Sequence, residues 1–506
     1  MKSTFARVHT MAKKKWIILS LLVLACLSCD EQRVKNPEVL KALAGSWKAR
    51  HVSNLDRPFS LLTLFIIRPD SSLARSLEFE TAPRSRVWIF DSDVTIEGDV
   101  IRWGDYKGIL NTSRDTITAT KEEAGEPTNW LFVRDTSVDS LMKGLYSITS
   151  DSYVYKPPEE LNDGWSCSDM AAVGLAQERI VDLIKEISRG KHDDIHSLLI
   201  VKDNKLVVEE YFAANGGKHG PFITRLFRNK VHHLASTTKS VTSTLVGIAI
   251  DQGFIENVTD PIYHYLPEYG PLFSDEKKRI RICDMLTMTP GFEWRQFGVR
   301  DDKNDGMQMW RTQDVIRYVL EKPLEAEPGK KYNYTNGVPT VTGAIIKNAV
   351  GMEVASFAEQ YLFQPLEISD YVWTSYPDGS IETDGGLALR SRDLAKLGEL
   401  FLNGGLWNDK RIVSEQWVRE STRERLKFGK FNRWGYGYHW MQAESRIGDQ
   451  VLHSYFVPGD GNQIVAVFPE VRMVIVCTAG NYGRDPKSDY YSLFEEVILP
   501  AALQLR

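Results

Sequence analysis

Leu234-Ala235-Ser236-Thr237-Thr238-Lys239-Ser240-Val241-Thr242-Ser243-Thr244-Leu245-Val246-Gly247-Ile248-Ala249-Ile250 carries more information than any other stretch of the chain. A serine and a lysine three residues apart share one face of a helix. At a helix start the serine hydroxyl can be exposed, while the backbone N–H groups of the first turn point at whatever reacts with it. A buried lysine beside it loses its proton more readily and can help activate the hydroxyl. Ser140–Lys143, Ser188–Lys191 and Ser274–Lys277 repeat the spacing, so context must separate them. Ser188 precedes Gly190 at what reads as a helix end, and Ser274 opens a charged, solvated run. Ser236 instead follows apolar Leu234-Ala235 and leads into small, Thr/Ser-rich and aliphatic residues suited to a closely packed central helix.

Around this stretch the chain is long enough for more than one domain: 506 residues, 42% hydrophobic and 25% charged, with a formal net charge of -5. No basic stripe points to nucleic acid as a partner. Lys13-Lys14-Lys15, the apolar run Trp16 to Leu27 and the small residue before a cysteine read as a lipoprotein-type signal over residues 1–29. Cys29, followed at once by polar chain, is the expected lipid attachment, with Cys26 as the alternative. Export to the cell envelope and a membrane contact through that lipid follow as expectations. Cys167, Cys283 and Cys477 are too few for a disulfide framework and lack metal-site spacing. No metal and no organic cofactor is expected.

Residues 36–145 read as β-rich. Short strand-like runs at Gly45–Val52, Leu61–Ile67, Val87–Phe90, Val100–Trp103, Thr116–Thr120 and Asn129–Val133 are separated by turn signals, which predicts a barrel or sandwich. Leu43-Ala44-Gly45-Ser46-Trp47 weakly resembles the opening strand of lipocalin-like domains; a structural module filled by its own side chains is the expected form. Residues 146–165, with Pro157-Pro158, read as a linker. From 166 to 506 the pattern is a helix at Leu175–Ile187, a hairpin around Asp203-Asn204, the Ser236 helix, a helical and loop-rich middle, strands at Gln463–Phe468 and Met473–Thr478, and a last helix from about Ser488. Strands at both ends with helices between predict one sheet covered by helices.

A second chemical signal is Tyr334-Thr335-Asn336 in Pro328-Gly329-Lys330-Lys331-Tyr332-Asn333-Tyr334-Thr335-Asn336-Gly337. A tyrosine can carry a proton where a lysine cation stabilises its phenolate, and Asn336 can hydrogen-bond the lysine or a substrate amide. With Asp260-Pro261, Ile280 to Gly291 and Gly385-Gly386-Leu387-Ala388-Leu389-Arg390-Ser391-Arg392-Asp393, these residues make the chain resemble the β-lactamase-related serine hydrolases. That superfamily holds class C β-lactamases, DD-peptidases and esterases. The resemblance implies an antiparallel sheet with helices on both faces and a helical subdomain. It implies Ser236 as nucleophile, Lys239 and Tyr334 as the shared proton-transfer apparatus, and Asn336 as a supporting group.

The family's Lys- or His-Thr-Gly turn is absent; the corresponding segment is Phe456-Val457-Pro458-Gly459-Asp460-Gly461-Asn462-Gln463. The resemblance assigns the oxyanion hole to the backbone N–H groups of Ser236 and Asp460, with Gly459 and Gly461 lining the substrate side. A carboxylate where relatives often place a cation predicts a preference against anionic acyl groups. His453, close in sequence to this turn, is a candidate for substrate contact. His232-His233, His439, Trp294, Trp310 and Trp440 read as packing residues. The function expected is an exported serine hydrolase acting on a small ester or amide, or a peptide-like substrate. A β-lactamase or DD-peptidase is the alternative, and a non-catalytic penicillin-recognising or ligand-binding lipoprotein the rival of another class. Oligomeric state has no signature in the sequence.

Overall fold

A computed structural model describes eight strand segments between residues 45 and 134, and residues 153–505 apart from 193, 213–227, 429–433 and 483–492. The signal-like start with Cys26 and Cys29 lies outside the described residues. The chain divides into two compact units, one of residues up to Met142 without Glu80–Trp88, which holds most of the first eight strands, and the other of Glu80–Trp88 with Lys143–Arg506.

The first eight strands are β1 (Gly45–His51), β2 (Leu61–Ile67), β3 (Ala74–Thr81), β4 (Val87–Glu97), β5 (Val100–Trp103), β6 (Tyr106–Leu110), β7 (Thr116–Glu123) and β8 (Glu126–Arg134). They follow one another in a closed barrel, and β8 returns to pair antiparallel with β1, Ala49 opposite Phe132. Strict alternation along β6 buries Tyr106, Gly108 and Leu110 and exposes the residues between. Trp103, Tyr106 and Phe132 stack or meet edge to face at 5.2–5.7 Å, so the described interior is filled by side chains. β6 eludes a reading by apolar runs because Gly108 interrupts it. A Cβ there would stand 2.7 Å from Ile117 and 2.9 Å from Trp103, which is why glycine fits.

The strands of the second unit are β9 (Ile195–Lys202), β10 (Lys205–Tyr211), β11 (Val231–His233), β12 (Tyr371–Trp373), β13 (Leu387–Arg390), β14 (Leu406–Trp407), β15 (Lys410–Arg411), β16 (Leu426–Phe428), β17 (Trp434–Tyr436), β18 (Met441–Ile447), β19 (Gln450–Gly459), β20 (Gln463–Phe468) and β21 (Met473–Ala479). Eight of them form an antiparallel sheet in the order β10-β9-β21-β20-β19-β18-β17-β16. The β9–β10 turn uses Asp203 and Asn204 with φ of 52° and 63°, the left-handed pair that matches strand twist in a two-residue hairpin. In β21 every residue is buried, because helices cover both faces. Met473, Ile475 and Cys477 pack with Ile180, Leu183, Ile184 and Ile187 of α1 (Gln177–Ser188) and with Phe494, Ile498 and Leu499 of the C-terminal helical turns. The opposite face meets Ser391–Leu402, where Gly398 lets the helix approach: a Cβ would lie 2.4 Å from Val474.

The helical region is centred on α2 (Thr238–Asp251), buried from Thr238 to Ala249 and packed on α3 (Gly337–Val350). Its small polar residues make this possible. Thr242 donates to the Thr383 carbonyl at 2.7 Å and Ser240 to the His439 carbonyl at 2.5 Å, so these two buried hydroxyls are satisfied by neighbouring backbone. At the expected linker, residues from Tyr153 onward pack into the second unit. The Tyr153 hydroxyl donates to Glu210 at 2.7 Å, the Tyr155 hydroxyl to the Val207 carbonyl at 2.7 Å, and Trp165 Nε1 to the Arg392 carbonyl at 3.1 Å. Asp163 and Glu209 together hold the buried Arg392 guanidinium at 2.7 Å each. The polar residues that resemble a linker in sequence are partners of charges far along the chain.

Candidate active site

Ser236 sits in a single 3-10 turn, Ala235–Thr237, that runs straight into α2. The turn is fixed from outside: Leu234 N donates to the Leu387 carbonyl at 2.9 Å, and Leu387 N donates to the Thr238 hydroxyl at 3.2 Å. Ala235 is left-handed, with φ of 48°, a conformation that costs roughly 1–2 kcal/mol for an L-residue. Such strain gathers where a side chain must be aimed. Of the other Ser-x-x-Lys pairs, Ser188 donates to the Lys185 carbonyl at the end of α1, and Ser274 accepts from Lys277 N on the surface.

Two groups donate to Ser236 Oγ. Lys239 Nζ lies at 2.9 Å, from one turn on along α2, and the Tyr334 hydroxyl at 2.7 Å, from the loop that leads into α3. The Lys239 ammonium is 5.1 Å from the centre of the Tyr334 ring and donates also to the Asp384 carbonyl oxygen at 2.6 Å. Lys239 is 3% exposed. The three candidate residues, from two separate sequence motifs, therefore meet at one oxygen, in the geometry that lets a hydroxyl lose and regain a proton.

Asn336 ends the Tyr334 loop. Its N–H donates to Gln296 Oε1 at 3.1 Å, while its side-chain oxygen Oδ1 is buried without a protein partner. Gln296 Oε1 also accepts from Trp294 Nε1 at 3.0 Å, which fixes the Gln296-Phe297 segment beside the loop. The Phe297 ring, 71% exposed, stands 5.7 Å from that of Tyr334. Gln296 and Phe297 carry no motif in the sequence; only the fold brings them here.

The opposite wall is the β19–β20 turn. Gly459 pairs with Gln463, and Gly461 and Asn462 between them have φ of 81° and 65°. Asparagine tolerates the left-handed region, so Asn462 can take this position without a glycine. Gly459 is required for close approach: a Cβ would lie 2.3 Å from the Leu234 carbonyl and 3.0 Å from Thr237 Oγ1. The turn is thus seated against the Ser236 turn. Gln463 braces it, donating to the Asp460 carbonyl at 3.2 Å and to the Ala479 carbonyl at 2.7 Å. Asp460 itself is exposed.

His453 is not brought to this cluster. It is exposed on β19, six residues before Gly459, and its Nδ1 pairs with Glu470 at 2.8 Å. At about 3.3 Å per residue, nearness in sequence becomes roughly 20 Å along a strand. His439 lies in a bend after β17 with φ of 59°. Its Nδ1 meets the Tyr436 hydroxyl at 3.1 Å; burial, and next the charge of Lys239, push the imidazole down to about 3, so it is neutral beside the lysine. His232 hydrogen-bonds His196 at 2.8 Å, and burial and the neighbouring imidazole hold it well below the usual histidine range. Trp440 is core, Trp294 is buried, and Trp310, 38% exposed, reaches Tyr376 at 6.1 Å between ring centres. Among the described residues no cluster of three or more His, Cys, Asp or Glu could hold a metal ion.

Comparison with known proteins gives the same frame. A 6-aminohexanoate-dimer hydrolase of Paenarthrobacter ureafaciens is 26% identical over 194 residues, 37% of this chain and 49% of that protein. A Salmonella typhimurium protein named for D-alanyl-D-alanine carboxypeptidase is 21% identical over 279 residues, 45% of this chain and 64% of that one. The chain thus spans between half and two thirds of the length of these curated relatives. The solved structure of a family VIII carboxylesterase superposes with a TM-score of 0.51 at 15% identity, over 69% of this chain and 100% of that chain, a likeness of fold. Residues 194–497 match the family described as Beta-lactamase. The matched stretch spans more than half of the chain and contains the Ser236 turn, the Tyr334 loop and the strands behind them; the chain belongs to the Beta-lactamase family and has its fold.

Proposed function

We propose that this protein hydrolyses an ester or amide through an acyl-enzyme on Ser236. The convergence of Lys239 Nζ and the Tyr334 hydroxyl on Ser236 Oγ, at 2.9 and 2.7 Å, is the observation that carries this reading. Oγ attacks the substrate carbonyl carbon and its proton passes to the Lys239–Tyr334 pair. The carbonyl oxygen, now negative, is held by the backbone N–H groups of Ser236 and Asp460. As the carbonyl re-forms, the bond to the leaving group breaks and that group takes the proton. Water then repeats the sequence on the ester, releasing the acid and free Ser236. Asn336 Oδ1, buried and unpartnered, is available to a substrate amide N–H, and Phe297 offers apolar surface beside Tyr334. Exposed Asp460 at the turn favours neutral or cationic acyl groups over anionic ones. The absence of the Lys- or His-Thr-Gly turn sets a β-lactamase or DD-peptidase second.

Labelling with a fluorophosphonate, followed by mass spectrometry, should place the adduct on Ser236, and Ser236→Ala should lose labelling and turnover. An adduct on Ser188 or Ser274, or full turnover by the alanine variant, would refute the assignment. Ranking esters, amides and carboxylate-bearing β-lactams by kcat/KM tests the substrate class; a clear preference for the β-lactams would move the reading to the alternative.

The start of the chain supports a proposal of export and lipid anchoring at Cys29, or at Cys26. Expressed in bacteria, the protein should partition with membranes and lose that behaviour when both cysteines become serine. A wild-type protein found unlipidated and free of membranes would contradict it.

A further inference from the structure

We propose that Asp384, clamped by Tyr376, is the positioning and charge-balancing residue for Lys239. The inference rests on the reading of Ser236 as nucleophile and deepens it. The described partners of the Lys239 ammonium are Ser236 Oγ and one main-chain carbonyl, that of Asp384. A carbonyl is a dipole, and a buried ammonium is costly unless a counter-charge is near. The same residue that supplies the carbonyl carries a carboxyl, 7% exposed, whose Oδ1 accepts the Tyr376 hydroxyl.

Tyr376 is itself buried, 3% exposed, and its hydroxyl lies 3.2 Å from Thr340 Oγ1. Thr340 donates to the Asn336 carbonyl at 3.0 Å. With the one proton of each hydroxyl given to Asp384 and to the Asn336 carbonyl, the 3.2 Å approach of Tyr376 and Thr340 is a packing contact; it seats the Asp384–Tyr376 pair against the start of the helix that follows Tyr334. Burial pushes the Asp384 carboxyl up, while the charge of Lys239 and the hydroxyl of Tyr376 pull it back. The other titratable groups here are few. Tyr334 faces the lysine with its ring centre at 5.1 Å, Glu382 lies two residues before Asp384 and its charge acts on Tyr376, and His439, neutral, feels the charge of Lys239. Asp384 directly precedes Gly385-Gly386, and nothing in its sequence context marks it as a partner of the lysine.

The test is the pH profile of Ser236 labelling by a fluorophosphonate in the full chain, read together with the KM and kcat of the best ester found. An ionised Asp384 favours the protonated lysine, so the neutral, nearly isosteric Asp384→Asn should move the acid limb of the profile down by about one pH unit. KM should stay within about twofold. Tyr376→Phe removes the hydroxyl that helps keep Asp384 ionised and should move the limb the same way by less. An unmoved limb in Asp384→Asn with Ser236 still labelled overturns the proposal. If that variant does not fold, an unmoved limb in Tyr376→Phe overturns it instead. A wild type that does not label at Ser236 would fail at the prior step, the assignment of the nucleophile.

Discussion

The two walls of the site are built on opposite terms. On the helix side Ser236, Lys239 and Tyr334 come from buried elements, and each contact there is shared: Lys239 serves both Ser236 and Asp384, and Tyr334 leads into α3, which packs on α2. On the strand side the Gly459–Gln463 turn is held by backbone pairing and by the Gln463 amide, while Asp460 is exposed. A wall whose side chains interlock leaves little room for change. A wall that contributes main-chain N–H groups accepts any side chain compatible with its φ values, which leaves positions such as Asp460 and Asn462 open to other residues. On the proposed reading, proton transfer belongs to the first wall, while the second adds one backbone N–H and an exposed side chain that bears on the choice of acyl group.

Three substitutions test that division, in falling order of effect. Tyr334→Phe removes a donor to Ser236 Oγ and keeps the ring. It should lower kcat by about 10²–10⁴-fold with little change in KM, the signature of a group used in proton transfer. A change confined to KM would place Tyr334 on the substrate-binding wall.

His439→Asn should change stability more than rate. The folded imidazole is held down to about 3, below the usual 6.5. As pH falls from 6.5 toward 3 the unfolded chain binds a proton that the native state refuses, so native stability is lost through that window. Over pH 7 to 4 this amounts to about 3 kcal/mol. Asparagine accepts the left-handed φ, so urea unfolding of the variant should show a shallower acid loss. An equal slope in both proteins would mean that the imidazole titrates freely and the helix side is less sealed than its burial implies.

Asp460→His should alter preference without altering mechanism. Turnover of carboxylate-bearing substrates should rise about tenfold relative to neutral esters, with the rate for neutral esters kept. Loss of all activity would show that the side chain, not only the backbone of this turn, takes part in the chemistry.

Legibility in the sequence followed the range of each interaction. The Ser236–Lys239 pair is one helical turn, and its apolar and Thr/Ser-rich setting marked it among four similar pairs. The φ demands of Asp203-Asn204 were local and the hairpin was readable. Tyr334 is 98 residues from Ser236, so its place was visible only through resemblance to relatives. His453 shows the opposite failure, since sequence proximity to Asp460 turned into length along an extended strand. Asp384, Tyr376, Gln296 and Phe297 had no local signal. Residues 153–165 misled because their charges look solvated until Arg392 is folded against them.

By itself, then, the sequence determined what backbone geometry and short-range spacing can encode: the helix that bears the nucleophile, the lysine one turn away, the strands too apolar to face water, and the turn without a cation. The tertiary structure alone decided which distant hydroxyl meets Ser236, which carbonyl receives the buried lysine, which aromatic is left exposed beside Tyr334, and which polar segment is held inside. The physical reason is that a hydrogen bond or a Coulomb interaction acts over a few ångströms, and residues far apart in the chain come within that range only once the sheet and its covering helices have packed.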